Sequence, residues 1–146
     1  MFQQLKLSNQ LCHRFYVASN ALIRAYRPYL KELDITYPQY VVLMALWEID
    51  GIEVGKIKQM TKIDGGALSL ILTKLQRKKI IEMQISERDK RVRTVTLTSY
   101  GKGLESKAEH IPKQLLCKVN SISNEELQQL KLITDKLICE LDDFES

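Results

Sequence analysis

The stretch from Val54 to Arg93 constrains this chain most, because its hydrophobic rhythm changes repeatedly there. Val54-Gly55-Lys56-Ile57-Lys58-Gln59-Met60 is a short apolar-periodic segment, Thr61 to Asp64 is a polar break, and Gly65 to Ile80 is a longer run with helical spacing. Two strand-like pieces follow, Ile81 to Ile85 and Thr94 to Thr98, joined by the charged tip Ser86-Glu87-Arg88-Asp89-Lys90-Arg91-Val92-Arg93. The segment holds eleven Lys/Arg against four acids (Asp64, Glu82, Glu87, Asp89), so it carries +7 and the rest of the +4 chain carries −3. Two helices joined by a tight turn, then a basic hairpin, is the order of a winged helix-turn-helix. Such a module lays one helix in the major groove of DNA and a wing beside it. Positive charge gathered on that surface is what counterion release from phosphates requires. A solvated basic face on an ordinary domain is the bland alternative, and the element order argues against it.

The rest of the chain bounds the answer. At 146 residues it suits one domain with a real core. Met1-Phe2-Gln3-Gln4-Leu5-Lys6 lacks the apolar run of a secretory signal, and no stretch is long enough to span a bilayer, so a cytoplasmic location and no membrane partner are expected. Cys12, Cys117 and Cys139 are odd in number and widely spaced, and His13 and His110 are scattered. Neither a disulfide framework nor a metal site is implied, and no Gly-rich loop suggests a cofactor.

Taken in order, Leu7, Leu11, Phe15, Ala18, Leu22 and Ala25 recur at three- and four-residue steps and predict one amphipathic helix from about 5 to 32, loosened in its last turn by Pro28. Thr36 is placed to cap the next helix, with Pro38 in its first turn. Tyr40 to Ile49 is apolar nearly all round and should be the most buried helix, with Trp47 in the core and Asp50-Gly51 ending it. Beyond the wing, Thr98-Ser99-Tyr100-Gly101 starts a helix expected to run towards Val119, interrupted by Pro112. Ser123-Asn124-Glu125-Glu126 reads as a capping box for a last helix striped by Leu127, Leu130, Leu137, Leu141 and Phe144. The expected class is mainly α with a small β wing. Within a single domain spanning 1–146, residues 36–98 form the winged helix-turn-helix, and 1–35 with 99–146 a helical dimerisation region. These long helices have too little globular body to cover their apolar stripes, so a second copy is the expected partner. A two-fold dimer also suits a pseudopalindromic operator.

This order resembles the MarR family of transcriptional regulators across nearly the whole chain. Arg88-Asp89-Lys90-Arg91, then Thr94-Val95-Thr96-Leu97-Thr98 and Gly101, is similar to the family's wing signature. The resemblance implies that Arg91 reaches the minor groove, held by Asp89. It also makes the helix after Asp64 the recognition helix, facing the groove with Gly65, Ala67, Ser69, Thr73 and Lys74. Arg77, Arg88 and Lys90 complete the candidate DNA-binding set. Ser86 departs from the family where an acid is common, Lys79 where a glycine is usual, and Lys58 where a small residue is common.

Leu7-Ser8-Asn9-Gln10-Leu11-Cys12, then Tyr16, Tyr26-Arg27-Pro28 and Ile35-Thr36-Tyr37-Pro38-Gln39-Tyr40, resemble the organic-hydroperoxide-sensing, OhrR-type branch. That resemblance implies that Cys12 is a peroxide sensor supported by Tyr26 and Tyr37, which lie fourteen and twenty-five residues later. A thiolate is the nucleophile that attacks a peroxide oxygen, and phenol donors would stabilise it. The apolar surround of Leu11, Phe15 and Tyr16 would favour an organic hydroperoxide as inducer, with Tyr16 either lining the pocket or packing in the core. Cys117 matches the place of the second cysteine of two-cysteine members, so the resemblance implies a disulfide between Cys12 and Cys117 of opposite subunits. Cys139 reads as inert packing. Two other functions stay open. One is a regulator released by a small phenolic ligand in the cleft between helical and winged parts, with Cys12 only lining it. The other is a thiol peroxidase, which the basic wing argues against; the expectation is a repressor and not an enzyme.

Overall fold

The computed structural model describes residues 2–142. They group into two compact units that part between Ile111 and Pro112. In the first unit, residues 2–10 do not extend the opening helix as the periodicity predicts. They form two 3₁₀ turns, Gln3–Leu5 and Leu7–Asn9, and helix α1 begins only at Leu11 and ends at Glu32. The cause is local competition for backbone carbonyls. The side-chain amide of Asn9 donates to the Gln3 carbonyl, that of Gln10 to Gln4, and the Arg14 guanidinium to Ser8 and Gln10, which closes tight turns instead of a helical ladder. Pro28 leaves the last turn helical.

The end of α1 is a Schellman motif. Ile35 N–H donates to the Leu30 carbonyl at 3.0 Å and Asp34 N–H to Lys31 at 3.1 Å, with Asp34 in the left-handed region at φ 53°. Helix α2 (Tyr37–Glu48) then starts as expected. Thr36 Oγ1 accepts from Gln39 N–H while the Gln39 side chain accepts from Thr36 N–H, a reciprocal capping box with Pro38 in the first turn. Val42, Leu43 and Leu46 are completely buried, and α2 has more buried residues than any other helix described. Trp47 is half-buried against this core, its indole N–H donating to the Gly101 carbonyl at 3.1 Å.

Ile49 caps the end of α2, and Asp50-Gly51, with Gly51 at φ 72°, turns the chain into a strand that sequence spacing does not predict, β1 (Ile52–Glu53). Two residues are too few for alternation to register. After α3 (Val54–Thr61) and α4 (Gly65–Arg77) come β2 (Ile81–Ile85) and β3 (Arg93–Leu97). The antiparallel sheet has the order β1-β3-β2, with Ile52 opposite Val95 and Ile81 opposite Leu97. Helix α4 stops short of the expected Ile80 because it too ends in a Schellman motif: Ile80 N–H donates to Leu75 and Lys79 N–H to Gln76, with Lys79 at φ 57°. Helix α5 (Ser99–Ala108) is capped by Thr98, whose hydroxyl accepts from Gly101 N–H and donates to the Lys79 carbonyl.

The expected helix from Ser99 towards Val119 is two helices. α5 ends at Ala108, and α6 (Ile111–Leu116) starts afresh with Pro112 in its first turn, where a missing N–H breaks no ladder bond. In the second unit α7 (Asn124–Asp142) begins with a reciprocal capping box. Ser123 Oγ accepts from Glu126 N–H at 3.1 Å, and the Glu126 carboxylate accepts from Ser123 N–H at 2.8 Å. Phe144 lies outside the described residues. No described helix is long and apolar enough to cross a membrane.

Candidate nucleic-acid interface and thiol site

Helix α4 is held by one stripe. Leu68, Leu72 and Leu75 are buried, which fixes which residues face outwards. At 100° per residue the outward pole carries Gly66, Leu70 and Arg77, flanked by Thr73 and Lys74. Of the predicted groove-facing set, Gly65, Ala67, Ser69 and Lys74 are exposed, as is Arg77 of the wider DNA-binding set. Thr73 is half-buried, and its hydroxyl donates to the Ser69 carbonyl at 2.9 Å. The Asp64 carboxylate caps the helix by accepting from Gly66 N–H at 3.0 Å. Leu70 was absent from the predicted set, yet it is 66% exposed. The i, i+4, i+7 spacing of Leu68, Leu72 and Leu75 is the sequence signal that turns Leu70 outwards.

The wing tip is built by two short side chains. Ser86 Oγ accepts from the N–H groups of Arg88 and Asp89, so a hydroxyl organises the turn where an acid was expected. The Asp89 carboxylate accepts from Arg91 N–H at 2.9 Å, while Ser86 N–H donates to Val92 to close the hairpin. Asp89 therefore orients Arg91 through its backbone. Arg88, Lys90 and Arg91 all stand exposed at the tip.

The root of the wing is fastened by Asp50. One carboxylate oxygen accepts from Gly51 N–H at 2.9 Å and Leu97 N–H at 2.8 Å, and the other lies 3.1 Å from Lys102 Nζ. Desolvation pushes this carboxyl up, but the Leu97, Lys102 and Gly51 hydrogen bonds together outweigh it and hold it below the ordinary aspartate range.

Cys12 is exposed in the first turn of α1. Tyr26 and Tyr37 meet with ring centroids 5.0 Å apart, and Tyr40, not foreseen as a member, joins them at 5.8 Å from Tyr26. Desolvation first, then the neighbouring Tyr37 and Tyr40, raises Tyr26 above the ordinary phenol range, so it stays a neutral donor. The chain does not bring Cys12 to this cluster. Tyr26 lies fourteen residues further along the same helix, about 21 Å at ~1.5 Å per residue. Tyr16, one turn from Cys12, is 68% exposed and therefore not part of this chain's own core. Cys117, just past α6, and Cys139, on α7, are also exposed. Among the described residues no cluster of potential ligands could hold a metal ion.

Beside the tyrosines lies a cavity of about 490 Å³ lined by Ile23, Leu30, Ile35 and Tyr37 with Arg27 and Lys78 among its polar edges.

Comparison with known proteins fits this geometry. A family model described as transcriptional regulator SarA/Rot matches residues 24–111. The organic hydroperoxide resistance transcriptional regulator of Bacillus subtilis (strain 168) is 38% identical over 130 residues, covering 89% of this chain and 88% of that protein. Wild-type MarR (apo form) from E. coli superposes with a TM-score of 0.68 at 25% identity, over 88% of this chain and 96% of that one. The chain belongs to the MarR family of transcriptional regulators. Within this family, reduced AbfR bound to DNA is similar with a TM-score of 0.82 at 25% identity, over 99% of this chain and 98% of that one. The MarR-family fold is winged-helix, as the order of segments predicted. The relatives are transcriptional regulators and not peroxidases, so the enzyme alternative falls away.

Proposed function

We propose that this MarR-family chain is a homodimeric repressor that holds a pseudopalindromic operator while Cys12 is reduced and releases it when an organic hydroperoxide oxidises Cys12. The observation that carries the reading is the spacing along α1. The exposed thiol of Cys12 and Tyr26, the α1 member of the tyrosine cluster, ride the same helix about 21 Å apart, so a single chain keeps them separate and a second copy is what brings them together. In a two-fold dimer, Cys12 of one subunit meets the partner subunit's Tyr26 and Tyr37. The same dimer covers the apolar residues that α1 leaves outside, Leu11, Tyr16, Val17 and Leu22, and those of α7, including Leu132, Ile133 and Leu141. Two relatives support the inducer and the DNA partner: one is an organic hydroperoxide resistance transcriptional regulator, and the other, AbfR, is bound to DNA in its reduced form.

The chemistry balances. The Cys12 thiolate attacks the terminal peroxide oxygen, the O–O bond breaks, sulfur becomes a sulfenic acid, and the alkoxide leaves to take up a proton as the alcohol. The thiol of Cys117 of the partner subunit then displaces water from the sulfenic acid and forms a disulfide. A Cα separation within about 7 Å is needed for that bond. Drawing the two cysteines together shifts the helices that set the spacing of the α4 pair, and operator affinity falls. Helix α4 faces the major groove with Ser69, Lys74 and Arg77, and the wing contacts DNA through Arg88, Lys90 and Arg91. The 36–98 segment reads DNA, and the flanking segments dimerise.

DNA binding to the chain's own upstream region, before and after one equivalent of cumene hydroperoxide, tests the reading. Non-reducing gels of wild type, Cys12→Ser and Cys117→Ser run beside it. Loss of binding with a dithiol-reversible dimer band that needs both cysteines is expected. Loss without the band makes Cys12 a one-cysteine sensor. Binding that survives oxidation overturns the sensing claim. The cavity beside Tyr37 favours one second reading, release by a small phenolic ligand, under which Cys12→Ser still responds to ligand.

A further inference from the structure

We propose that Leu70 reads the C5-methyl group of a thymine, so that each operator half-site carries a T at one fixed place. The inference rests on α4 being the DNA-reading helix. A single exposed leucine carries no information by itself; its setting does. The buried stripe of Leu68, Leu72 and Leu75 points Leu70 straight away from the core, 66% exposed. One turn earlier stands Gly66, where an added Cβ would meet only the Asp64 carboxylate at 3.3 Å. The leading turn of α4 is therefore slim enough to sit deep in a groove. One and two turns later stand Lys74 and Arg77, both exposed. Leu70 is thus an apolar knob between a slim tip and two cations.

That arrangement suits DNA better than protein. The centre of a protein–protein contact is depleted of charge, whereas here two cations flank the knob on its own helix face. A leucine side chain has no donor or acceptor and is too short to track the phosphates. In the major groove, the apolar feature it can meet is the thymine methyl group. Cytosine offers hydrogen at that carbon, and the purines offer polar N7, which a leucine would desolvate without pairing. Leu70 therefore favours T over C by contact and rejects purines by desolvation.

Uracil differs from thymine only by the missing methyl. The test replaces each thymine singly by uracil in a duplex from the chain's own upstream region and titrates full-length wild type, Leu70→Ala and Leu70→Met at fixed salt. Wild type is expected to lose about fourfold in affinity at one thymine per half-site, the worth of one buried methyl. Leu70→Met, which keeps an apolar tip, retains most of that loss, and Leu70→Ala shows none while its circular dichroism stays that of wild type. If no single uracil weakens wild type, or if Leu70→Ala is weakened equally, Leu70 does not read the methyl. If wild type fails to bind even the unmodified duplex, the DNA-reading role of α4 is itself overturned.

Discussion

Lys78 Nζ lies 3.0 Å from a carboxylate oxygen of Asp34, and it also donates to the Asp34 backbone carbonyl. The two residues belong to the two Schellman motifs, Lys78 capping α4 and Asp34 turning the chain after α1. The end of the candidate recognition helix is thereby tied to the end of the helix that carries Cys12. The Asp34 side chain is 86% exposed, so the tie is screened by water and ions. Lys78→Gln is expected to cost less than about 1 kcal/mol in urea unfolding. The difference from wild type should shrink in molar salt; a cost that persists there would mean that Lys78 contributes chiefly through packing.

Lys79 occupies the left-handed position that ends α4, at φ 57°, where a Cβ is unfavourable. Lys79→Gly should stabilise the fold by about 1 kcal/mol, read as a higher urea midpoint with unchanged slope. Lys79→Ala, which keeps the Cβ, should give no such gain.

Gly101 is fixed by contact. A Cβ there would sit 2.1 Å from the Ile80 carbonyl oxygen, a backbone atom that cannot swing aside. Gly101→Ala must therefore part α5 from the turn between α4 and β2, and a loss of about 3 kcal/mol or more is expected in equilibrium unfolding. Gly103→Ala is the control, since nothing lies within 4 Å of its Cβ position.

Asp50 gives stability a pH dependence of known sign. Its folded carboxyl lies below the ordinary range, so the unfolded chain binds its proton more readily. The stability from Asp50 is complete above the unfolded aspartate value, about 3.9, and is lost as pH falls through the lower folded value. Asp50→Asn should be less stable than wild type at neutral pH. The gap should narrow as the solution is acidified below about pH 4, in thermal melts taken across that range. A gap that widens on acidification would refute the assignment.

Subunit mixing tests the shared thiol site. Under the proposed dimer, Cys12→Ser and a Tyr26→Phe/Tyr37→Phe double variant each spoil both sites of their own homodimers. A mixed dimer regains one site made of wild-type residues. Half of one thiol equivalent per chain should then react with hydroperoxide at the wild-type rate. Mixed dimers no faster than the tyrosine variant would place the tyrosines elsewhere in the mechanism.

Much of this is legible in the sequence. The Thr36 cap, the burial of α2 and the two-helix-plus-hairpin order follow from short-range spacing, which sequence displays directly. The misses share a different cause. Residues 2–10 leave the helix because Asn9, Gln10 and Arg14 compete for carbonyls, a contest that apolar periodicity does not register. β1 is visible only through its pairing with β3. Tyr40 joins Tyr26 and Tyr37 through packing between α1 and α2. Leu70 lies outside the polar positions that the family pattern marks, so its exposure is read only from the packing of α4. The distance between Cys12 and Tyr26 follows from helix rise alone, and under the proposed function it makes the site one that two chains share.

That shared ownership has a physiological corollary. Under the proposed dimer, Cys12 stands about 21 Å along α1 from Tyr26, so the thiol of a lone subunit lacks its phenol donors and reacts with peroxide no faster than an ordinary exposed cysteine. Sensitivity then follows the protein's own abundance through the dimerisation equilibrium. On the proposed function, a cell that produces more of this regulator would change its alarm threshold as well as the strength of repression.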